Sequence, residues 1–398
     1  MKKILRYIGL DVHQHTIAIA VADAGRSPAK KFAEVENDWH KLLKQLDALG
    51  SPEQLRLCYE AGPTGYELAR SLRERGYHTI VVAPSLVPEV HKKIKTDRRD
   101  AVALAHFLRS GDLTEVTVPA AQTEAMRDLE RARSDAKEAE RVARQQLSSF
   151  LLRHNRRWTG ASNWTLSHVA WIRKQVFTEP AQQRVLSDYL QAIDQAELRV
   201  KSLTADLGKF VEQWALKPLV LAFQSLRGFQ LVNSVVAVAE IGAFSRFESA
   251  GQFMCYLGLV PSEHTSGASR RQGRITRAGN RQVRSLLIEA AWNYSRRGKA
   301  SKAIAKRRSL VPTEIQAIAA KAEDRLCRRF QAMLSKGKKS VVVATAIARE
   351  LAGFVWAIGV AIERSGAVPS IDTRLAQREQ SEVKRLQADT EKYFTRVS

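Results

Sequence analysis

The chain opens on two short apolar runs, Ile4-Leu5-Arg6-Tyr7-Ile8-Gly9-Leu10-Asp11-Val12 and Thr16-Ile17-Ala18-Ile19-Ala20-Val21-Ala22, around polar His13-Gln14-His15. Two β-rich runs about a short polar turn predict a hairpin. A third strand is expected around Lys30 to Val35. Asn37 or Asp38 then offers a cap to a helix reaching Leu49, with Leu42, Leu43 and Leu46 on one face. Leu55 to Tyr59 is a short apolar run ending at Glu60; Pro63 opens a helix through Arg75, and Gly76 stops it. Thr79 to Ala83 reads as a continuous apolar strand. Asp97 to Arg109 reads as a helix with Ala101, Leu104, Ala105 and Leu108 inward. The order βββαβαβα predicts a mixed sheet with helices on its faces.

The pattern then changes period. Residues 122–153 and 181–214 are long, charged and helical. In the second stretch Leu186, Ile193, Val200, Leu207 and Trp214 recur every seventh residue, Leu190 and Val211 take alternate seam positions, and Glu197 and Thr204 interrupt them. A heptad seam predicts an antiparallel helical hairpin or coiled coil. The intervening Arg156 to Pro180, rich in Trp, Ser and basic residues, has no assigned element; Trp158, Trp164 and Trp171 suit either base stacking or helix packing. From Leu219 a compact, mostly helical domain is expected. Val232 to Ile241 is an apolar helix stopped by Gly242, residues 249–258 are a short helix, Pro261 to Asn280 is a polar basic loop, and Arg281 to Tyr294 is a helix again. Val341 to Ile362 is very apolar but carries Arg349 and Glu350 near its middle, which favours a buried or amphipathic helix over a membrane span. The tail after Gly366 is polar and expected to be loosely ordered.

Composition narrows the partners. The 398 residues exceed one ordinary core, and 44% are hydrophobic, so two or three folded domains are expected. The formal net charge is +23, which implies a polyanionic partner. Residues 1–120 hold 18 Lys and Arg against 15 Asp and Glu, so nearly all of the excess lies after residue 120. Nucleic acid is favoured over a membrane surface. Cys58, Cys255 and Cys327 are far apart with no CxxC pair, which argues against a zinc ribbon or a disulfide framework and fits a reducing cytoplasm. The basic N-terminus lacks an apolar signal region.

Four acids stand where chemistry gathers in such folds. Asp11 lies where the first strand meets its turn, Glu60 follows the end of another strand, and Asp97 and Asp100 begin a helix three residues apart. Hard divalent cations take oxygen ligands, and phosphodiester chemistry with two metals needs several converging carboxylates. Each acid alone also serves as a turn residue, a helix cap or an ion-pair partner. Ile8-Gly9-Leu10-Asp11-Val12-His13, Glu60-Ala61-Gly62-Pro63-Thr64-Gly65 and Lys95-Thr96-Asp97-Arg98-Arg99-Asp100-Ala101 closely resemble the DEDD-type insertion-sequence transposases, relatives of the Piv site-specific invertases. The resemblance implies an α/β + α architecture: an RNase H-like (RuvC-like) mixed-sheet domain over 1–121, a helical coiled-coil hairpin over 122–217, a mostly helical basic transposase domain over 218–366, and a polar tail over 367–398. It also implies that Asp11, Glu60, Asp97 and Asp100 hold Mg²⁺ or Mn²⁺.

From His264 to Arg308 the only acid is Glu289, against Arg270, Arg271, Arg274, Arg277, Arg281, Arg284 and further cations downstream. This reads as a phosphate-binding surface, since a guanidinium fork grips two oxygens at once. Gly267, Gly273 and Gly279 are expected to let the backbone approach a ligand. Serines here either bind phosphates or act as nucleophiles. Gly258-Leu259-Val260-Pro261, Ser266-Gly267 and Gly273-Arg274-Ile275-Thr276-Arg277-Ala278-Gly279-Asn280 are similar to the C-terminal motifs of the same family, in which the serine attacks DNA. The resemblance implies Ser266 as that nucleophile, with Ser262 and Ser269 as rivals. It departs at Thr265, where many relatives have a first serine, and at Arg227-Gly228-Phe229-Gln230, which lacks a second glycine.

The resemblance further implies donor and target DNA, a structured guide RNA from the element, subunits whose two domains meet across a dimer or tetramer, and a cytoplasmic, nucleoid-associated location. Three other readings stay open on residues alone. They are a metal-dependent junction nuclease without a serine intermediate, a non-catalytic nucleic-acid binder, and an actin-like phosphotransferase. The last needs a second glycine-rich phosphate loop, and the sequence offers none. His13, His15 and His264 carry no assigned role.

Overall fold

The structure, a computed structural model, describes residues 4–84, 87–88, 97–266, 269–296 and 301–369; within these, the side chains of 97–99, 264–266 and 269–272 are not described. The described chain divides into two compact units between Ala120 and Ala121.

The first unit is a five-stranded mixed sheet in the order β3-β2-β1-β4-β5. Its strands are β1 (Arg6–Val12), β2 (Thr16–Asp23), β3 (Lys30–Glu36), β4 (Leu55–Glu60) and β5 (His78–Val82). The first three form an antiparallel meander; β4 and β5 run parallel to β1. Its helices are α1 (Trp39–Leu49), α2 (Glu67–Glu74) and α3 (Asp97–Ser110). Asp38 caps α1 by accepting from the Lys41 amide at 2.9 Å. The helix expected from Pro63 begins later, at Glu67, because Gly62 to Gly65 closes a turn first (Gly65 N to Gly62 O, 3.2 Å).

Alternation along the strands sorts the side chains onto two faces. Ile8, Leu10, Ile19, Leu57 and Tyr59 pack with Leu42, Leu46 and Leu72 of α1 and α2. The opposite face, with Ala18, Ala20, Ala22, Cys58 and Ile80, lies under Ala101, Leu104, Ala105 and Leu108 of α3. A Cβ on Gly9 would overlap the Ala101 carbonyl and the Ala105 amide, so glycine is what lets α3 sit this close to β1. Because backbone blocks the space, Gly9→Ala should cost about 3 kcal/mol, the upper end for overpacking, and should lower the urea midpoint while α3 lifts from the sheet. A midpoint unchanged from the parent would show the helix to be seated some other way.

The second unit begins with an antiparallel pair of long helices, α4 (Ala121–Arg153) and α6 (Pro180–Gln213), joined through the short α5 (Leu166–Arg173). Of the positions in the expected seam, Leu186, Ile193, Leu207, Val211 and Trp214 are buried and Leu190 and Val200 half-buried. Its polar breaks meet α4, with Arg133 donating to Thr204 Oγ1 at 2.8 Å and Arg144 pairing with Glu197 at 2.8 Å. The C-terminal helices follow: α7 (Lys217–Phe223), α8 (Leu231–Ile241), α9 (Ala250–Tyr256), α10 (Arg281–Ala291), α11 (Lys302–Arg308), α12 (Thr313–Ser335) and α13 (Ser340–Arg364). Met126, Leu207, Val211 and Trp214 from the base of the helix pair share one core with these helices, so the pair is rooted in the C-terminal core. α13 is long and apolar enough to cross a membrane, but Leu351, Val355 and Ile358 are fully buried, and it serves as the central core helix. Between α9 and α10 lies a two-stranded hairpin, β6 (Pro261–Ser266) and β7 (Ser269–Ile275), where the sequence had predicted a loop.

Candidate active site

In the first unit, β1 and β4 place two of the four acids side by side. Their parallel register pairs Leu10 with Tyr59, and continuing it sets Asp11 beside Glu60. Each stands two residues beyond a residue facing α3, Gly9 and Cys58, so both fall on the α3 side of the sheet. The direction of α3 brings the other two towards the same end. Near its C-terminus Arg109 donates to the carbonyls of Asp23 and Ser27, and Asp23 is the register partner of Arg6 at the start of β1. Its N-terminus, which begins at Asp97, therefore points towards the Asp11 end of β1. Asp100 immediately precedes Ala101, the residue against Gly9, and is half-buried.

Asp11 is largely shielded, with 18% of its side chain exposed, and its Oδ2 lies 3.2 Å from His13 Nε2. Glu60 is half-buried. The side chain of Asp97 lies outside the described residues, and among those described no three acid, His or Cys side chains are close enough to hold a metal ion. The donor set is nonetheless all carboxylate, the chemistry that hard divalent cations select. The contact with His13 is one that residue spacing gave no reason to single out.

In the second unit the basic segment is a hairpin on a braced base. Ser266 ends β6 and Ser269 begins β7; their side chains, with those of Arg270 and Arg271, lie outside the described residues. Ser262 is half-buried, and its hydroxyl lies against Gly273 where a Cβ would stand. Arg274, Arg277 and Arg281 are exposed. Arg284 is not. It is 8% exposed and donates from Nη1 to the carbonyls of Leu257 (3.0 Å) and Ala278 (2.8 Å), pinning the two ends of the hairpin together. Burial, with the nearby charges of Arg277 and Arg281, pulls its pKa below the usual guanidinium value. The expectation that Arg284 binds phosphate is corrected to a bracing role.

Two of the three glycines are corrected likewise, while Gly267 lies outside the described residues. Gly279, at φ +68°, lies so close to the Tyr256 carbonyl that a Cβ would overlap it, and Gly273 makes room for Ser262; both serve the chain's own packing. Asn280 caps α10 by accepting from the Val283 amide at 2.9 Å and donates to Glu240 at 2.9 Å. Glu240 also pairs with Arg131 of α4 at 3.2 Å. Glu240 and Asn280 are support residues that sequence reasoning missed, although Asn280 ends the Gly273 to Asn280 motif and Glu240 lies in the apolar helix stopped by Gly242.

Known proteins extend both halves of this picture. Residues 8–155, spanning the four acids, match a DEDD-type transposase family, and residues 221–306, spanning the basic hairpin, match the family described as "Transposase IS116/IS110/IS902 family". The putative transposase y4qE of Sinorhizobium fredii is 42% identical over 88% of this chain and 88% of its own length. The transposase for insertion sequence element IS1533 of Leptospira borgpetersenii is 30% identical over 84% of this chain and 98% of its own. A probable family 20 transposase of Pseudomonas aeruginosa is 27% identical over 90% and 94%. The chain belongs to the IS116/IS110/IS902 family of transposases, enzymes that cut and rejoin DNA.

Proposed function

We propose that this chain is the recombinase of an insertion sequence, using Asp11, Glu60, Asp97 and Asp100 to hold Mg²⁺ or Mn²⁺ and Ser266 as the nucleophile, with a structured RNA from the element choosing the target. The observation that carries the reading is the β1–β4 register, which sets Asp11 beside Glu60 on the face where α3 begins with Asp97. The mixed sheet order, together with family membership, supports an RNase H-like first unit.

The metal, when bound, would offset the charge that builds on the scissile phosphate. Ser266 Oγ attacks phosphorus, an Oγ–P bond forms, and the P–O bond to the sugar breaks. The serine proton leaves to a base, and the released sugar oxygen takes one up. Attack by a second sugar hydroxyl reverses the bonding, releases Ser266 and rejoins the strand, so no external energy source is needed. Exposed Arg274, Arg277 and Arg281 bind phosphate oxygens and hold the strand in place. A homo-oligomer, dimer or tetramer, acting in the cytoplasm on the nucleoid belongs to the same proposal.

The test is the covalent intermediate. Protein incubated with labelled DNA carrying the element's ends should give an adduct that survives denaturing electrophoresis, and Ser266→Ala should remove it while Ser262→Ala and Ser269→Ala keep it. An adduct that persists in Ser266→Ala moves the nucleophile elsewhere. Metal-dependent cleavage with no adduct in any variant establishes the junction-nuclease alternative.

A further inference from the structure

The far end of the α4–α6 hairpin is not used by this mechanism, yet it is built unlike the rest of the helix pair. From Arg141 to Thr178 there is no acid at all, while Arg141, Arg144, Arg153, Arg156, Arg157, Arg173 and Lys174 supply seven cations. Some are engaged: Arg173 pairs with Asp194, Arg144 with Glu140 and Glu197, and Arg141 with Glu138, at 2.6–2.8 Å. Arg153, Arg156, Arg157 and Lys174 are exposed and form no ion pair among the described residues. A cluster of exposed cations of this kind favours phosphate, with Arg156 also donating to the Val176 carbonyl at 3.2 Å and Arg153 lying over the Phe150 ring.

The aromatic residues between these cations gather around His168, with Trp171 stacked on its ring and Trp164 edge-on to it. Trp158 and Trp171 lie 5.3 and 5.8 Å from His168, and Trp164 lies 5.4 Å from it. Trp164 is held at φ +62°, a conformation that bulky side chains rarely adopt. Its amide donates to His168 Nδ1 at 2.7 Å, which fixes the turn and keeps that nitrogen unprotonated. The strained turn sets the Trp164 ring at the edge of a cleft of about 400 Å³ whose floor is one face of α4, including Arg144, Gln145 and Ser148. Arg144 lies 5.0 Å over the Trp164 ring. The cleft's own cations are neutralised by buried Glu140 and by Glu138 and Glu197, so it suits an uncharged flat group rather than a phosphate.

We propose that this hairpin end is a second nucleic-acid site, which takes an unpaired nucleotide of a polynucleotide strand: the base enters the cleft beside Trp164, and the neighbouring phosphates lie on Arg153, Arg156, Arg157 and Lys174. A duplex keeps its bases stacked inside, so only single-stranded segments present this ligand. RNA and displaced single-stranded DNA share the chemistry, and the measurement separates them.

The experiment uses the full chain with three fluorescein-labelled probes of one sequence: a single-stranded RNA, a single-stranded DNA and the duplex DNA. The single strands also carry 4-thiouridine or 4-thiothymidine for photocrosslinking and peptide mapping. Crosslinks are expected within residues 137–174, and the better-bound strand identifies the source. Trp164→Asn, which tolerates the left-handed turn but lacks the ring, should weaken single-strand binding by about tenfold and leave its salt dependence alone. The Arg157→Glu, Lys174→Glu double variant should also weaken it by about tenfold or more and lower the salt slope by about 1.4. Circular dichroism checks that each variant folds, with Arg157→Gln, Lys174→Gln as the milder pair. Crosslinks confined to residues 270–308, or duplex bound as tightly as single strands with both variants within twofold of the parent, would overturn the proposal. All arms are repeated in Ser266→Ala, so failure of the nucleophile reading leaves the hairpin result standing.

Discussion

Asp11→Asn should lower recombination by about a thousandfold while the protein still folds and still binds DNA. The substitution keeps the side chain's size and removes its charge, at a position with 18% of the side chain exposed. Losing one carboxylate from a cation's ligands forfeits several kcal/mol of transition-state stabilisation, and each 1.36 kcal/mol is a factor of ten in rate. DNA affinity should stay within about threefold, because Arg274, Arg277 and Arg281 belong to the other compact unit and supply the salt-dependent part of binding. The measurement is transposition from a reporter plasmid carrying the element, beside filter binding and a thermal melt of the same preparation. Asp97→Asn should behave alike, and a chelator should reproduce both losses in the parent. If Asp11 were only a turn residue bonded to His13, recombination would persist at near-parent levels, and the metal-site reading would fall.

The parts of this protein that the sequence revealed are those where burial dictates residue type. Strands β1, β2 and β5 show as apolar runs because both faces of the sheet are covered, and α13 shows because Ala344, Ile347, Leu351, Val355 and Ile358 surround it with core. The β6–β7 hairpin stayed hidden because its residues are polar on both faces; only backbone pairing defines it, and backbone pairing leaves no pattern. Arg284 was misread by type alone. Its position was informative, since residues 284, 287 and 291 share one helical stripe and Leu287 and Ala291 are fully buried, so a long cationic stem had to run through core. The Glu240–Asn280 bond joins residues 40 apart in the chain, and no local periodicity reports such a pairing. Among the acids, strand ends marked Asp11 and Glu60, but their adjacency is a register fact that only the β1–β4 pairing supplies.

Glu323→Ala should melt the second unit at a temperature lower by roughly 10 °C or more. Glu323 of α12 is 13% exposed and holds two arginines from elsewhere in the fold, Arg227 before α8 and Arg308 at the end of α11, each at 2.6 Å. Each arginine also donates to backbone: Arg227 reaches the Arg296 carbonyl at 3.0 Å, and Arg308 reaches that of Ser225 at 3.0 Å. Neither arginine can turn to solvent without giving these up. Removing the carboxylate therefore leaves two buried like charges facing each other, and breaking such a cluster costs about 3–5 kcal/mol. For a unit of this size each kcal/mol moves the midpoint by about 2–4 °C. The cluster's worth lies in its completeness rather than in its charge, so replacing Arg227, Glu323 and Arg308 together with Met or Leu should recover most of the loss. Arg307 would still tie α11 to the Gln224 carbonyl at 2.9 Å in that triple variant. A single Glu323→Ala variant melting within 2 °C of the parent would mean that the two arginines find other partners, and a triple variant no better than the single one would mean that the ion cluster stabilises the fold outright.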